Sequence, residues 1–174
     1  MGQPRFPFER VSAVRAAITD QLWSEGARML VCSAACGADL LALDAAQQLH
    51  IRRRIVLPFS AGRFRASSVV DRPNPEFWGK LFDRMITTAR EQGDLVELNG
   101  AEHNEAAYSA ANHAIIDQAR AFADAARQDN PKISTIAILV WDGAPRGGAD
   151  ATSEFADLAR AAGFEVREVR TLSR

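Results

Sequence analysis

Apolar positions along the chain change their period repeatedly, and each change marks an element. From Glu9 to Glu25, Val11, Val14, Ala17, Ile18 and Leu22 recur at helical spacing, which predicts a helix that Gly26 stops. Arg28–Cys32 (RMLVC) is short, apolar and bounded by Gly26 and a small-residue loop, which predicts a buried strand. Ala38–His50 carries Leu40, Leu41, Leu43, Leu49 and several alanines and predicts a helix. Arg54–Pro58 (RIVLP) predicts a second buried strand, cut off by its proline. A polar loop rich in Arg and Ser is expected over Phe59–Pro75, long enough inside a compact domain to suggest a functional role. Glu76–Gln92 reads as a helix ended by Gly93, Asp94–Leu98 as a strand, and Glu105–Arg127 as a long Ala-rich helix. Ile133–Trp141 (ISTIAILVW) is the clearest strand, and its near-continuous β-branched run predicts cover on both faces. A Gly-rich loop, a helix over Thr152–Ala162, Gly163 and a last strand over Phe164–Val169 complete the chain.

Helix and strand therefore alternate almost throughout, beginning with a helix. That alternation predicts an α/β fold: a doubly wound, Rossmann-like, mostly parallel sheet with helices on both faces, in a single domain. A length of 174 residues, 47 % of them hydrophobic and 25 % charged, agrees with one globular domain. A domain this size buries roughly 70 % of its unfolded surface, so it needs no disulfide or metal to hold it together. Cys32 and Cys36 are spaced CxxxC, neither a zinc pair nor a disulfide framework. A net charge of −1 leaves no electrostatic footprint for nucleic acid or an anionic membrane. No apolar run is long enough to span a bilayer, and MGQPRFPFER lacks the apolar stretch of a signal peptide, so a cytoplasmic location is expected.

In an open parallel sheet, ligands bind beyond the carboxyl ends of the strands, so the loops there are where chemistry is sought. Two are distinctive. In the first, Cys32-Ser33-Ala34-Ala35-Cys36-Gly37-Ala38-Asp39, the small side chains of Ser33 and Ala34 let a ligand approach the backbone. Gly37 can adopt positive φ, and the helix that follows offers free N–H groups suited to a phosphate. Asp39 can cap that helix or take a ribose hydroxyl. The second loop runs from Trp141 to Glu154. Gly143, Gly147 and Gly148 permit close approach, Thr152 sits at a helix start, and Asp142, Asp150 and Glu154 bring carboxylates to the same strand end. Carboxylates beside a ribose can bind its hydroxyls or act at the anomeric carbon; acidic residues at a helix N-terminus also have a simpler role, complementing the helix dipole. Neither loop is a GxGxxG fingerprint or a Walker A loop, and no cofactor is expected.

These two loops resemble the SLOG superfamily, the Rossmann-like group containing the cytokinin-activating LOG proteins, the Smf/DprA DNA-processing proteins and the molybdenum cofactor carrier proteins. LVCSAACGADLLALDAAQQLHIRRRIVLPF is similar to their strand, small-residue loop, helix and strand ending in Pro. GGADATSEF is similar to the GGxGTxxE phosphate and catalytic loop of the LOG enzymes, with Gly147 and Gly148 matching its first glycines and Glu154 its glutamate. Asp150 replaces the third glycine and Ala151 the threonine, which weighs against LOG-type phosphoribohydrolase activity. The chain looks most like a sensor-type branch fused to signalling domains. Relatives begin with a strand and an SGHMID-type loop ahead of a segment like PRFP; here Pro4-Arg5-Phe6-Pro7 is present and the chain starts just before it. In a 3-2-1-4-5 order the absent strand is central, so the chain is truncated, the order is altered, or another chain fills the gap.

Other positions carry weaker signals. His50, His103 and His113 lack metal-ligand spacing, and no metal site is expected. Asn112 shares a helix face with Tyr108, and the resemblance places an Asn of the site near here. Arg63 and Arg65 follow a strand's carboxyl end and are candidate phosphate partners, the alternative being a solvated lid. Arg52, Arg53 and Arg54 lie at the opposite strand end, where solvated charge or an interface is expected. Scattered aromatics such as Trp23, Phe77 and Trp78 suit core packing, with a homodimer face as the other use. Three functions follow. The first is a module binding a nucleotide or phosphoribosyl ligand and signalling to a fused or partner domain. The second is a nucleoside-monophosphate N-glycosidase with Glu154 as its catalytic carboxylate. The third, DNA processing, is disfavoured by the acidic balance.

Overall fold

A computed structural model describes residues 6–100, 104–143 and 151–171. After a 3-10 turn at Phe8–Arg10, the elements in chain order are α1 (Val11–Ser24), β1 (Met29–Cys32), α2 (Ala38–Gln48), β2 (Arg52–Leu57), α3 (Ala61–Ser68), α4 (Pro75–Glu91), β3 (Leu95–Glu97), α5 (Glu105–Arg127), β4 (Ile136–Trp141), α6 (Ala151–Ala161) and β5 (Glu165–Arg170). The alternation expected from hydrophobic periodicity is present, as an α/β fold with parallel strands.

One expectation is corrected. The supposed loop over Phe59–Pro75 contains α3. Its first turn is tied down where the Ala61 amide donates to the Glu97 carboxylate at 2.6 Å. Phe64, 1 % exposed, stacks on Phe82 with ring centroids 6.2 Å apart. Phe64 is the one large apolar anchor in AGRFRASS, too few for a visible helical period. β2 also begins two residues early, at Arg52, because its arginines have partners. Arg52 and Arg54 both hold Asp94, which is 2 % exposed, and the Arg53 guanidinium lies inside against the Met85 sulfur at 3.2 Å.

The strands form two sheets. β1, β2 and β3 pair in parallel in that order, with Met29 opposite Arg52 and Ile55 opposite Leu95. β4 and β5 form a second parallel pair from Ile136–Glu165 to Trp141–Arg170. α5 acts as a common ruler for both. Near its C-terminus, Phe122 lies under the Arg52 and Arg54 guanidinium groups at the start of β2, and Arg127 donates to the Ile133 carbonyl just ahead of β4. Near its N-terminus, Tyr108 meets Phe59 beyond the end of β2, and Asn112 meets Glu154 beyond the end of β4. Both sheets therefore run the same way, and their carboxyl ends share one rim.

α1, α2 and α4 pack together on one side and α5 with α6 on the other. The larger core gathers around β2, where Ile55, Val56 and Leu57 are at most 1 % exposed. A smaller cluster of Ile116, Ala137, Ala159 and Phe164 serves β4 and β5. β1 differs from β2: all four of its residues are only half-buried. Among the described residues no helix is long and apolar enough to cross a membrane.

Candidate functional site

The loop after β1 is shaped by Gly37 and Asp39. Gly37 has φ +98°, a conformation that disfavours any side chain, and a β-carbon there would stand 3.9 Å from the Phe6 ring. The chain thereby turns directly into α2. Asp39, in the first turn, accepts a hydrogen bond from the Ala35 amide at 3.1 Å, closing the loop on itself. The Cys36 amide donates to the Ser68 carbonyl, joining the loop to the end of α3, and the Ser68 and Tyr108 hydroxyls meet at 2.7 Å. Ala34, within the loop, is fully buried.

Across the rim, α5 and α6 are linked through Glu154. Its carboxylate accepts from the Ser109 hydroxyl at 2.6 Å and from the Asn112 amide at 2.9 Å. The positions of Ser109 and Asn112, one helical turn apart, put both donors on one face of α5.

Between these two halves lies a cavity of about 580 Å3. Ser33, Asp39, Asn112 and Thr152 line its rim end, drawn from three separate segments of the chain. That set offers hydroxyl and amide donors and one carboxylate acceptor. Among the described residues, the cations of the lining are Arg28 and Lys132, which lie toward the opposite end, where β1 and β4 begin. Among the described residues, the rim end offers an anionic group backbone amides and hydroxyls. Burial pushes the Asp39 carboxyl up to about 6, against the lowering effect of the Ala35 amide. The Cys32 thiol is raised by burial and then by Asp39, and the Cys36 thiol is pushed up to about 11, chiefly by burial. Both thiols stay protonated at neutral pH, the state of an inert cysteine.

Other candidates stand elsewhere. Arg65 makes a two-point ion pair with Asp83 of α4, at 2.8 and 3.0 Å, and Arg63 lies over the Phe59 ring at 5.1 Å. Neither lines the cavity. Gly143 has φ +88° and faces the Arg170 guanidinium, which in turn covers the Trp141 ring; Asp142 precedes it at the end of β4. Glu154 stands beside the lining, whose wall here is formed by Ala151, Thr152 and Phe155. Gly147, Gly148, Asp150 and His103 lie outside the described residues. Among the described residues no cluster of His, Cys, Asp and Glu is suited to hold a metal.

Sequence reasoning placed Tyr108 on the face of Asn112 but missed Ser109, which carries no motif. The signal available was spacing: a hydroxyl and an amide three residues apart on a helix, facing a glutamate from a neighbouring helix start. In comparisons with known proteins, the chain matches no family model, no curated protein and no solved structure.

Proposed function

We propose that the rim end of the cavity binds a nucleotide or a nucleotide-derived phosphoribosyl compound, and that the protein works as a sensing or signalling module. One observation carries this reading: Ser33, Asp39, Asn112 and Thr152, from three segments far apart in sequence, line a single cavity at the carboxyl ends of parallel strands. The phosphate sits against the turn at Gly37 and the first amides of α2, with the Ser33 and Thr152 hydroxyls as further donors. The ribose hydroxyls donate to Asp39, which is mostly ionised at pH 7, and Asn112 fixes the sugar from the α5 side. The similarity of the two loops to SLOG proteins supports the same ligand class.

The test is a thermal-shift panel of AMP, ADP, GMP, CMP and ribose 5-phosphate, followed by calorimetry. A ligand at a hundred times its Kd stabilises the fold by about 2.7 kcal/mol, equivalent to roughly 5–10 °C in Tm here. Asn112→Ala abolishes that shift. Absence of a shift with every compound at millimolar concentration refutes the reading.

The two-donor hold on Glu154 favours one second reading, cleavage of the N-glycosidic bond of a nucleoside monophosphate. The Ser109 and Asn112 donors hold the carboxylate in one position beside the cavity wall. Release of free base from AMP, lost in Glu154→Gln, distinguishes an enzyme from a sensor.

A further inference from the structure

Among the described residues, three large apolar side chains stand in solvent: Phe8, Trp23 and Phe77, at 43 %, 76 % and 42 % exposure. All three border α1. Phe8 lies in the 3-10 turn that runs straight into the helix, and Trp23 lies in its last turn. Phe77 meets Phe8 edge-on, with ring centroids 5.4 Å apart. Between the two aromatic ends, Phe8, Ser12, Ala16, Thr19 and Trp23 recur at steps of four, four, three and four, so they share one flank of the helix. Ser12 and Ala16 are exposed and Thr19 is half-buried. The core takes a different face of α1, through Val14, Ile18 and Leu22. The flank is thus a stripe about 22 Å long, aromatic at each end and small in the middle.

The stripe reads alike from either end, and that symmetry names its occupant. We propose that α1 is the seam of a two-fold homodimer, packing antiparallel against α1 of a second copy about an axis beside Ala16. In that register Phe8 meets Trp23 of the second copy, Ser12 meets its Thr19, and Ala16 meets its Ala16. An isologous contact requires a surface complementary to itself, whereas a foreign partner has no need of such symmetry. Ser12, Ala16 and Thr19 let the two backbones approach to roughly 8 Å, and each Trp23 indole covers the Phe8 and Phe77 rings of the other copy. Arg15, the charged side chain next to Ala16, is drawn aside by the Asp44 carboxylate at 2.8 Å, which Arg84 also holds at 2.7 Å. The exposed parts of the three aromatics amount to roughly 350 Å2 per copy. With the small residues between them the dimer buries on the order of 1,000 Å2 in all, the low end for a specific interface, which makes the association weak and reversible. The seam is separate from the nucleotide site, since none of its residues lines the cavity.

The experiment measures the mass of the 174-residue chain by sedimentation, without nucleotide, from about 1 μM to about 1 mM. The unsubstituted chain shows a concentration-dependent monomer–dimer equilibrium. Trp23→Ala and Ala16→Arg each raise the Kd at least about tenfold. Both sites are exposed and both replacements are good helix formers, so the Tm of the dilute monomer stays unchanged. The register is read separately with a short thiol-to-thiol cross-linker, the unsubstituted chain serving as control for Cys32 and Cys36. A mixture of Ser12→Cys and Thr19→Cys copies is cross-linked to a mixed dimer far faster than either variant alone. Three results overturn the proposal. One is a chain that stays monomeric at the highest concentration. Another is a dimer whose Kd neither substitution changes, which places the contact elsewhere. The last is cross-linking as fast between like copies as between unlike ones, which means that the two helices do not pair in this register.

Discussion

Asp39→Asn should stabilise the protein at neutral pH and do nothing at acid pH. The carboxyl is pushed up from 3.8 to about 6, so the folded protein holds its proton more tightly than the unfolded chain does. The sign follows directly. Below pH 4 the group is protonated in both states and contributes no difference. As pH rises from about 4 to about 6 the unfolded chain releases the proton first and stability falls; above about 6 the loss is complete. Its size is about 3 kcal/mol, the shift converted at 1.36 kcal/mol per pH unit. Asparagine keeps an oxygen for the Ala35 amide and removes the charge. Urea unfolding of both proteins between pH 4 and pH 8 measures the difference, which grows from near zero to as much as about 3 kcal/mol by pH 7. A difference independent of pH, or a less stable variant at pH 7, refutes the buried-carboxylate account. The proposed ligand would relieve this cost, because a ribose hydroxyl donating to Asp39 favours its ionised form.

Other positions are equally open to measurement. Asp94→Ala leaves the Arg52 and Arg54 guanidinium groups without their shared carboxylate and costs about 3 kcal/mol, read as a lower urea midpoint. Its hydrogen bond from Arg52 chiefly, opposed by burial and helped by Arg54, holds Asp94 below the usual carboxylate range. The stabilisation is present at neutral pH and disappears as pH falls through that lowered value, so the variant has a shallower acid limb. Gly100→Ala places a methyl 2.4 Å from the Pro58 carbonyl oxygen and costs about 1–3 kcal/mol, whereas Gly62→Ala meets nothing within 4 Å and gains about 0.5–1 kcal/mol of helix propensity in α3. Equal effects of the two glycine substitutions on Tm would contradict the packing described.

The order of elements was legible because buried strands and amphipathic helices impose different periods on the same apolar residues. The long helix Glu105–Arg127 was legible to the residue from its Ala-rich run, and in the structure Asn104 caps it by accepting from the Ala107 amide. α3 was not, because a helix with Phe64 as its one large apolar residue shows no period. The site was half legible. Small residues before a helix marked Ser33 and Asp39, but Arg63 and Arg65 were judged by their distance along the chain from a strand end. Their side chains find Phe59 and Asp83, partners from other elements.

Local composition and periodicity determined the α/β class, the element order and the small-residue loop that follows β1, because each depends on residues within a few turns of one another. Only the tertiary structure decided that β1 and β4 line one cavity, that Glu154 is held by Ser109 and Asn112, and that Asp39 lies deep enough to resist ionisation. Strand pairing, hydrogen bonds between helices and desolvation all depend on which distant segments become neighbours, and hydrophobic periodicity carries no information about that choice.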